Sequence, residues 1–103
     1  MTQFQINQVV DTIVKVAKPS KVILFGSHAL GKTSESSDLD ILVIKESSEI
    51  RSQRAREIRK HLRGLKIPVD VLVYTPQEVA EWKDVKTAFI THILSYGKTV
   101  YER

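Results

Sequence analysis

The 103 residues contain no cysteine, which excludes disulfides and thiolate metal sites. No apolar run approaches the length of roughly 20 residues that spans a bilayer. The opening MTQFQINQVV has neither the basic patch nor the apolar stretch of a signal peptide. Internal repeats, low-complexity segments and interdomain linkers are also missing. These absences leave one domain over 1–103, expected to be soluble and cytoplasmic. Hydrophobic residues make up 42%, enough for a modest core. The 16 Lys and Arg against 12 Asp and Glu give a net charge of +4, which suits a polyanionic ligand without demanding one.

Periodicity gives the element order. Ile6, Val9, Val10, Ile13, Val14 and Ala17 form one helical stripe that Pro19 ends. Lys21 to Phe25 is a short apolar strand stopped by Gly26, and Ser27 to Leu30 can form a short helix. Asp38 to Ile44 is a second strand. A helix is expected from Ser48 to Arg63, with Ile50, Ile58, Leu62 and Leu65 as a thin apolar stripe and Gly64 as its stop. Ile67 to Tyr74 is a third strand. Thr75, Pro76 and Glu78 spell a capping box that opens a short helix to Trp82. A last helix presents Val85, Ala88, Phe89, His92, Ile93 and Tyr96 and stops at Gly97; residues 98–101 form a small strand or packed tail. This order predicts an α/β (α+β) fold, a small mixed β-sheet covered by helices.

Side chains alternate across a strand, so Asp38 and Asp40 share one face while Leu39, Ile41 and Val43 share the other. Asp70 is the only charge in the apolar third strand. If the second and third strands are neighbours, three carboxylates converge on one patch. Such a patch is costly unless cations neutralise it. Hard oxygen ligands select Mg²⁺ or Mn²⁺, and Mg²⁺ binds through a few carboxylates plus substrate phosphates. An isolated Asp-x-Asp is more often a turn cap than a metal site; Asp70 is what shifts the balance.

Gly26 lets the backbone approach a ligand, and Ser27 adds a hydroxyl donor next to N–H groups that attract phosphate. Alone, the pair reads equally well as an ordinary strand-to-helix turn. Taken together, Gly26-Ser27, the ten residues after them, Asp38-Leu39-Asp40 and the later Asp70 resemble the signature of the DNA polymerase β-like nucleotidyltransferase superfamily. The small size and the ending YGKTVYER resemble its minimal nucleotidyltransferases, many of which are paired with HEPN-domain toxins in toxin–antitoxin operons.

The resemblance implies a polymerase β-like nucleotidyltransferase fold and assigns roles. Gly26 and Ser27 would hold the β- and γ-phosphates of a nucleoside triphosphate, with ATP as donor. Asp38 and Asp40 would bind two Mg²⁺ ions (or Mn²⁺). Asp70 would complete the catalytic metal site and help activate an acceptor hydroxyl, which attacks the α-phosphate as pyrophosphate leaves. Relatives often carry an arginine after the Gly-Ser pair, where His28 stands here, and Lys32 is the cation that would substitute. Gly31 matches a recurrent small position. Larger relatives carry a further domain for the acceptor, so the acceptor is expected on a partner: a tyrosine of a HEPN-type toxin, with this chain as antitoxin.

Two other readings stand beside this one: a non-catalytic antitoxin acting by occlusion, and a small-molecule nucleotidyltransferase that builds its pocket as a homodimer. The basic segment with Arg51, Arg54, Arg56, Arg59, Lys60 and Arg63 reads as a solvated face with pairs such as Glu57–His61, or as a docking face for an acidic partner. It has few aromatics for base stacking, so nucleic acid ranks below protein. His61 and His92 read as surface or packing residues, and Trp82 as a rim residue suited to an interface if exposed. Tyr74, Tyr96 and Tyr101 read as core-edge residues, although a tyrosine hydroxyl can also accept a nucleotide.

Overall fold

The computed structural model describes residues 2–29, 38–82, 85 and 89–103. Helix α1, Gln3–Ala17, opens on a reciprocal capping box. The Gln5 N–H donates to the Thr2 hydroxyl at 3.2 Å, and the Thr2 N–H donates to the Gln5 side-chain oxygen at 2.9 Å. The helix closes at Lys18, whose φ of 48° is left-handed and whose N–H donates to Val14 O. Pro19 follows and cannot continue the ladder.

Strands β1 (Lys21–Phe25), β2 (Leu39–Ile44), β3 (Val69–Tyr74) and β4 (Lys98–Glu102) form one sheet in the order β3-β2-β1-β4. β1 is antiparallel to β2 and to β4, while β2 and β3 are parallel. The expected mixed sheet is therefore present, and of the small strand or packed tail expected near the end, residues 98–102 form the strand, at one edge of the sheet. The parallel pair needs a crossover. It is supplied by α2 (Arg51–Arg54) and α3 (Arg56–Leu62), followed by a 3₁₀ turn over Arg63–Leu65.

Strand alternation sorts the apolar residues into two layers. Val22, Leu24, Leu39, Ile41, Val43, Val71 and Val73 pack with Val9, Ile13 and Ala17 of α1 and Ile58 and Leu62 of α3. On the opposite face, Ile23, Phe25, Leu42, Ile44 and Tyr74 pack with Ile90 and Ile93 of α5 (Phe89–Tyr96), and Val79 of α4 (Pro76–Trp82) joins them. Burying each fully enclosed Leu or Ile stabilises the fold by about 1.5–3 kcal/mol. α4 starts as the sequence predicts: the Glu78 N–H donates to Thr75 Oγ1 at 3.2 Å and the Thr75 N–H to Glu78 Oε1 at 2.9 Å.

Several expectations need correction. The helix over 48–63 is two helices, broken at Ala55, which is 3% exposed with φ −88° and ψ −3°. The break lets Ile58 and Leu62 face the sheet while Arg51 and Arg54 turn toward Glu78 of α4. Gly64 is not the stop; it lies in the 3₁₀ turn, and Lys66 takes the left-handed conformation at φ 56°. β2 starts at Leu39, leaving Asp38 just ahead of the strand. β3 starts at Val69 because Pro68 has no N–H for a ladder; its carbonyl accepts from Leu39 N at 2.9 Å. α5 is rolled relative to the expected stripe: Ile90 and Ile93 are buried, His92 is exposed, and Phe89 is 55% exposed. Val85 is exposed and Ala88 lies outside the described residues. Among the described residues, no helix is long and apolar enough to cross a membrane.

Candidate active site

The site forms where β1 ends and β2 and β3 begin. Antiparallel pairing sets Phe25 opposite Asp40, and parallel pairing sets Asp40 opposite Asp70. Residues directly opposite share a face. The Asp40 and Asp70 side chains therefore stand together on the α5 side of the sheet. Asp38 precedes the strand and is exposed, yet its charge still acts on Asp40. Burial first, then the charges of Asp70 and Asp38, raise the Asp40 carboxyl above the ordinary aspartate range, with His28 offsetting part of the rise. The arrangement is an electrostatic deficit of positive charge at the end of a rigid sheet.

Gly26 completes this corner. It opens a 3₁₀ turn, Gly26–His28, with φ +72°. A Cβ at Gly26 would overlap Asp40 Oδ2 and lie 3.0 Å from Asp40 Cγ. Only a residue without a side chain lets the turn close against the carboxylate. The Gly26 N–H donates to the Tyr96 hydroxyl at 3.0 Å, a bond that spans 70 positions in the chain. Ser27 and His28 are half-buried beside it. Lys32 and Gly31 lie outside the described residues.

No group of three His, Cys, Asp or Glu side chains among the described residues is gathered closely enough to hold a metal ion. Asp40 and Asp70 are nonetheless register partners, and their oxygen donors fit a hard cation that takes its remaining ligands from phosphate and water.

The basic segment is partly structural. Arg54, whose side chain is 9% exposed, meets Glu78 at 2.5 Å, and Arg51 reaches the same carboxylate at 3.1 Å. Burial alone would raise Glu78; the hydrogen bonds from Arg54, the Thr75 N–H and Arg51 outweigh it and hold the carboxyl down at about 2. Arg59 donates to Val71 O at 3.3 Å. His61 Nδ1 lies 3.7 Å from Glu57 Oε1, the i,i+4 pair the sequence suggests. Arg56, Lys60 and Arg63 face solvent. On the α5 side, Arg51, Tyr74, Trp82, Phe89 and Ile90 line an open cavity of about 200 Å³. Arg51 lies over the Tyr74 ring at 4.4 Å, and Phe89 meets Phe25 edge-on at 6.1 Å.

Residues 5–95 match the nucleotidyltransferase domain family. A Methanocaldococcus jannaschii protein, provisionally named a protein adenylyltransferase, is 34% identical over 92 residues, which cover 88% of this chain and 87% of that protein. The chain belongs to the nucleotidyltransferase domain family. Two solved structures share the nucleotidyltransferase fold. One is a toxin–antitoxin crystallised with AMP-PNP (TM-score 0.66, 20% identity, 94% of this chain and 73% of that one). The other is a tri-AMPylated Shewanella oneidensis HEPN toxin in complex with its MNT antitoxin (TM-score 0.60, 19% identity, 100% of this chain and 74% of that one).

The sequence therefore names the nucleotidyltransferase's family and singles out Gly26 and Asp40, which the fold brings into contact. What it misses is the contact between Tyr96 and Gly26. The sequence reads Tyr96 as a core-edge residue whose hydroxyl can also accept a nucleotide, and a bond to Gly26 exists only once the helix is folded over the strand ends.

Proposed function

We propose that this nucleotidyltransferase transfers AMP from ATP to a protein hydroxyl, a tyrosine of a HEPN-type toxin, and thereby serves as its antitoxin in the cytoplasm. The register pairing of Asp40 with Asp70 beside the Gly26 turn carries this reading. Asp38, Asp40 and Asp70 would hold two Mg²⁺ ions, which when bound neutralise the phosphates and the departing pyrophosphate. Gly26 and Ser27 hold the β- and γ-phosphates through the close approach that glycine permits. Lys32 would add a cation at the triphosphate. Asp70 receives the acceptor proton as the hydroxyl oxygen bonds the α-phosphorus and the bond to pyrophosphate breaks. The residues contribute by positioning the reactants and by charge, with no covalent intermediate on the enzyme. The named relatives, a protein adenylyltransferase and an antitoxin bound to an AMPylated toxin, support the acceptor class. Added AMP brings bulk and negative charge to the toxin and so inactivates it.

Incubation of the chain with Mg-ATP and its HEPN partner is expected to raise the partner's intact mass by one or more AMP units. Asp38→Ala should abolish the increase. No increase with any nucleoside triphosphate sinks the reading.

One observation favours a second reading. Trp82 and Phe89 are 43% and 55% exposed beside the Arg51–Tyr74 cleft, a surface that suits protein docking. Neutralisation by occlusion alone predicts that the Asp38→Ala, Asp40→Ala double variant still silences the toxin fully.

A further inference from the structure

The turn assigned to the triphosphate does not stand alone, because α5 holds it from above. The Gly26 N–H donates to Tyr96 Oη at 3.0 Å, and the Gly26 backbone is pressed against the Asp40 carboxylate. The Tyr96 hydroxyl is thus one residue removed from the acidic centre. A phenol that accepts one hydrogen bond still has its own proton to donate.

The hydroxyl is also held in place. Ile93 is fully buried against the sheet one turn earlier, and the Gly97 N–H donates to Ile93 O at 2.7 Å immediately after Tyr96. Gly97 itself lies against Ile23: a Cβ there would be 2.6 Å from Ile23 Cγ2. The Tyr96 ring rests on His92, with centroids 4.9 Å apart. A pre-positioned neutral donor suits a triphosphate that must lie next to carboxylates.

We propose that Tyr96 is a nucleotide-binding residue. Its hydroxyl fixes the Gly26 turn as acceptor and donates its proton to the outer phosphates of the bound nucleoside triphosphate. The proposal rests on the reading that Gly26 and Ser27 hold those phosphates, and it assigns the C-terminal helix a part in substrate recognition.

Tyr96→Phe tests it, since the ring packing stays and only the hydroxyl is lost. Calorimetric titration with AMP-PNP and Mg²⁺ should show binding about 10-fold weaker or more, the loss of one hydrogen bond to a charged group. AMP, which lacks the outer phosphates, should bind wild type and variant alike. At saturating nucleotide the transfer rate should fall far less than the affinity. Equal weakening for AMP and AMP-PNP would make Tyr96 a structural prop and overturn the proposal, as would unchanged binding of both. If the variant does not fold, the Tyr96 phenol carbon resonance of the wild type decides. It should move on addition of AMP-PNP and not of AMP; the same response to both, or none, overturns the proposal. A wild type that binds neither nucleotide overturns the nucleotide reading of the site as well, which separates the two failures.

Discussion

Gly26 and Asp40 occupy space that a single methyl group would fill: a Cβ on Gly26 would overlap Asp40 Oδ2 and come within 3.2 Å of Asp40 Cβ. The glycine conformation at φ +72° and the placement of the carboxylate are therefore one structural fact.

Gly26→Ala should cost about 1–3 kcal/mol through left-handed strain and the clash. Its larger effect should be on transfer, because the end of the Asp40 side chain is what can yield. A displacement on the order of 1 Å at such a centre lowers rates about 100-fold. Steady-state transfer assays and urea midpoints on the same protein separate the two effects. A variant with wild-type transfer would show that Asp40 need not stand where it does.

The other described glycines should behave differently. Gly97→Ala places a methyl 2.6 Å from both Ile23 Cγ2 and Ile93 O, and should destabilise by about 1–3 kcal/mol. Gly64→Ala meets nothing within 4 Å and should be neutral or stabilising by up to about 1 kcal/mol. Thermal melts of the two variants should move in opposite directions, or Gly64 should not move at all.

Asp40→Asn should abolish transfer and, without divalent ions or nucleotide, stabilise the fold by about 0.5–2 kcal/mol, as relief of a functional site often does. Burial and the charges of Asp70 and Asp38 raise the folded-state pKa of Asp40 above its ordinary 3.8. Its ionised form therefore costs stability above that pH, and the cost disappears as the group protonates at lower pH. The gain in melting temperature should be absent below about pH 3.8 and grow as the pH rises above it. A uniform gain across pH would rule out the charge explanation.

Glu78 has the opposite sign. Its folded-state pKa is depressed to about 2 from an ordinary 4.5, so it stabilises the fold above pH 4.5 and loses that contribution as pH falls toward 2. Glu78→Gln should cost about 1–3 kcal/mol at pH 7, because it weakens the Arg54 and Arg51 contacts that join α2 to α4. The difference from wild type should shrink between pH 4.5 and 2. Chemical denaturation at several pH values measures it, and a gap that persists at pH 2 contradicts the ion-pair account.

By itself the sequence determined whatever rests on near neighbours in the chain. The i, i+3, i+4 stripe gave α1, the alternation around Asp40 gave β2, Thr75 with Glu78 gave the start of α4, and the Gly-Ser and Asp-x-Asp spacing led to the family. These are short-range patterns set by backbone geometry. Tertiary packing decided the rest. Asp40 stands opposite Asp70 because β2 and β3 pair in one parallel register, and a slip of one residue would turn their side chains to opposite faces. The 48–63 segment breaks at Ala55 because the Ile58–Leu62 stripe and the Arg51–Arg54 pair must face different neighbours. α5 buries Ile90 and Ile93 against the sheet and leaves the Phe89 ring at the edge against Phe25. Tyr96 meets Gly26 across 70 positions that no local periodicity connects.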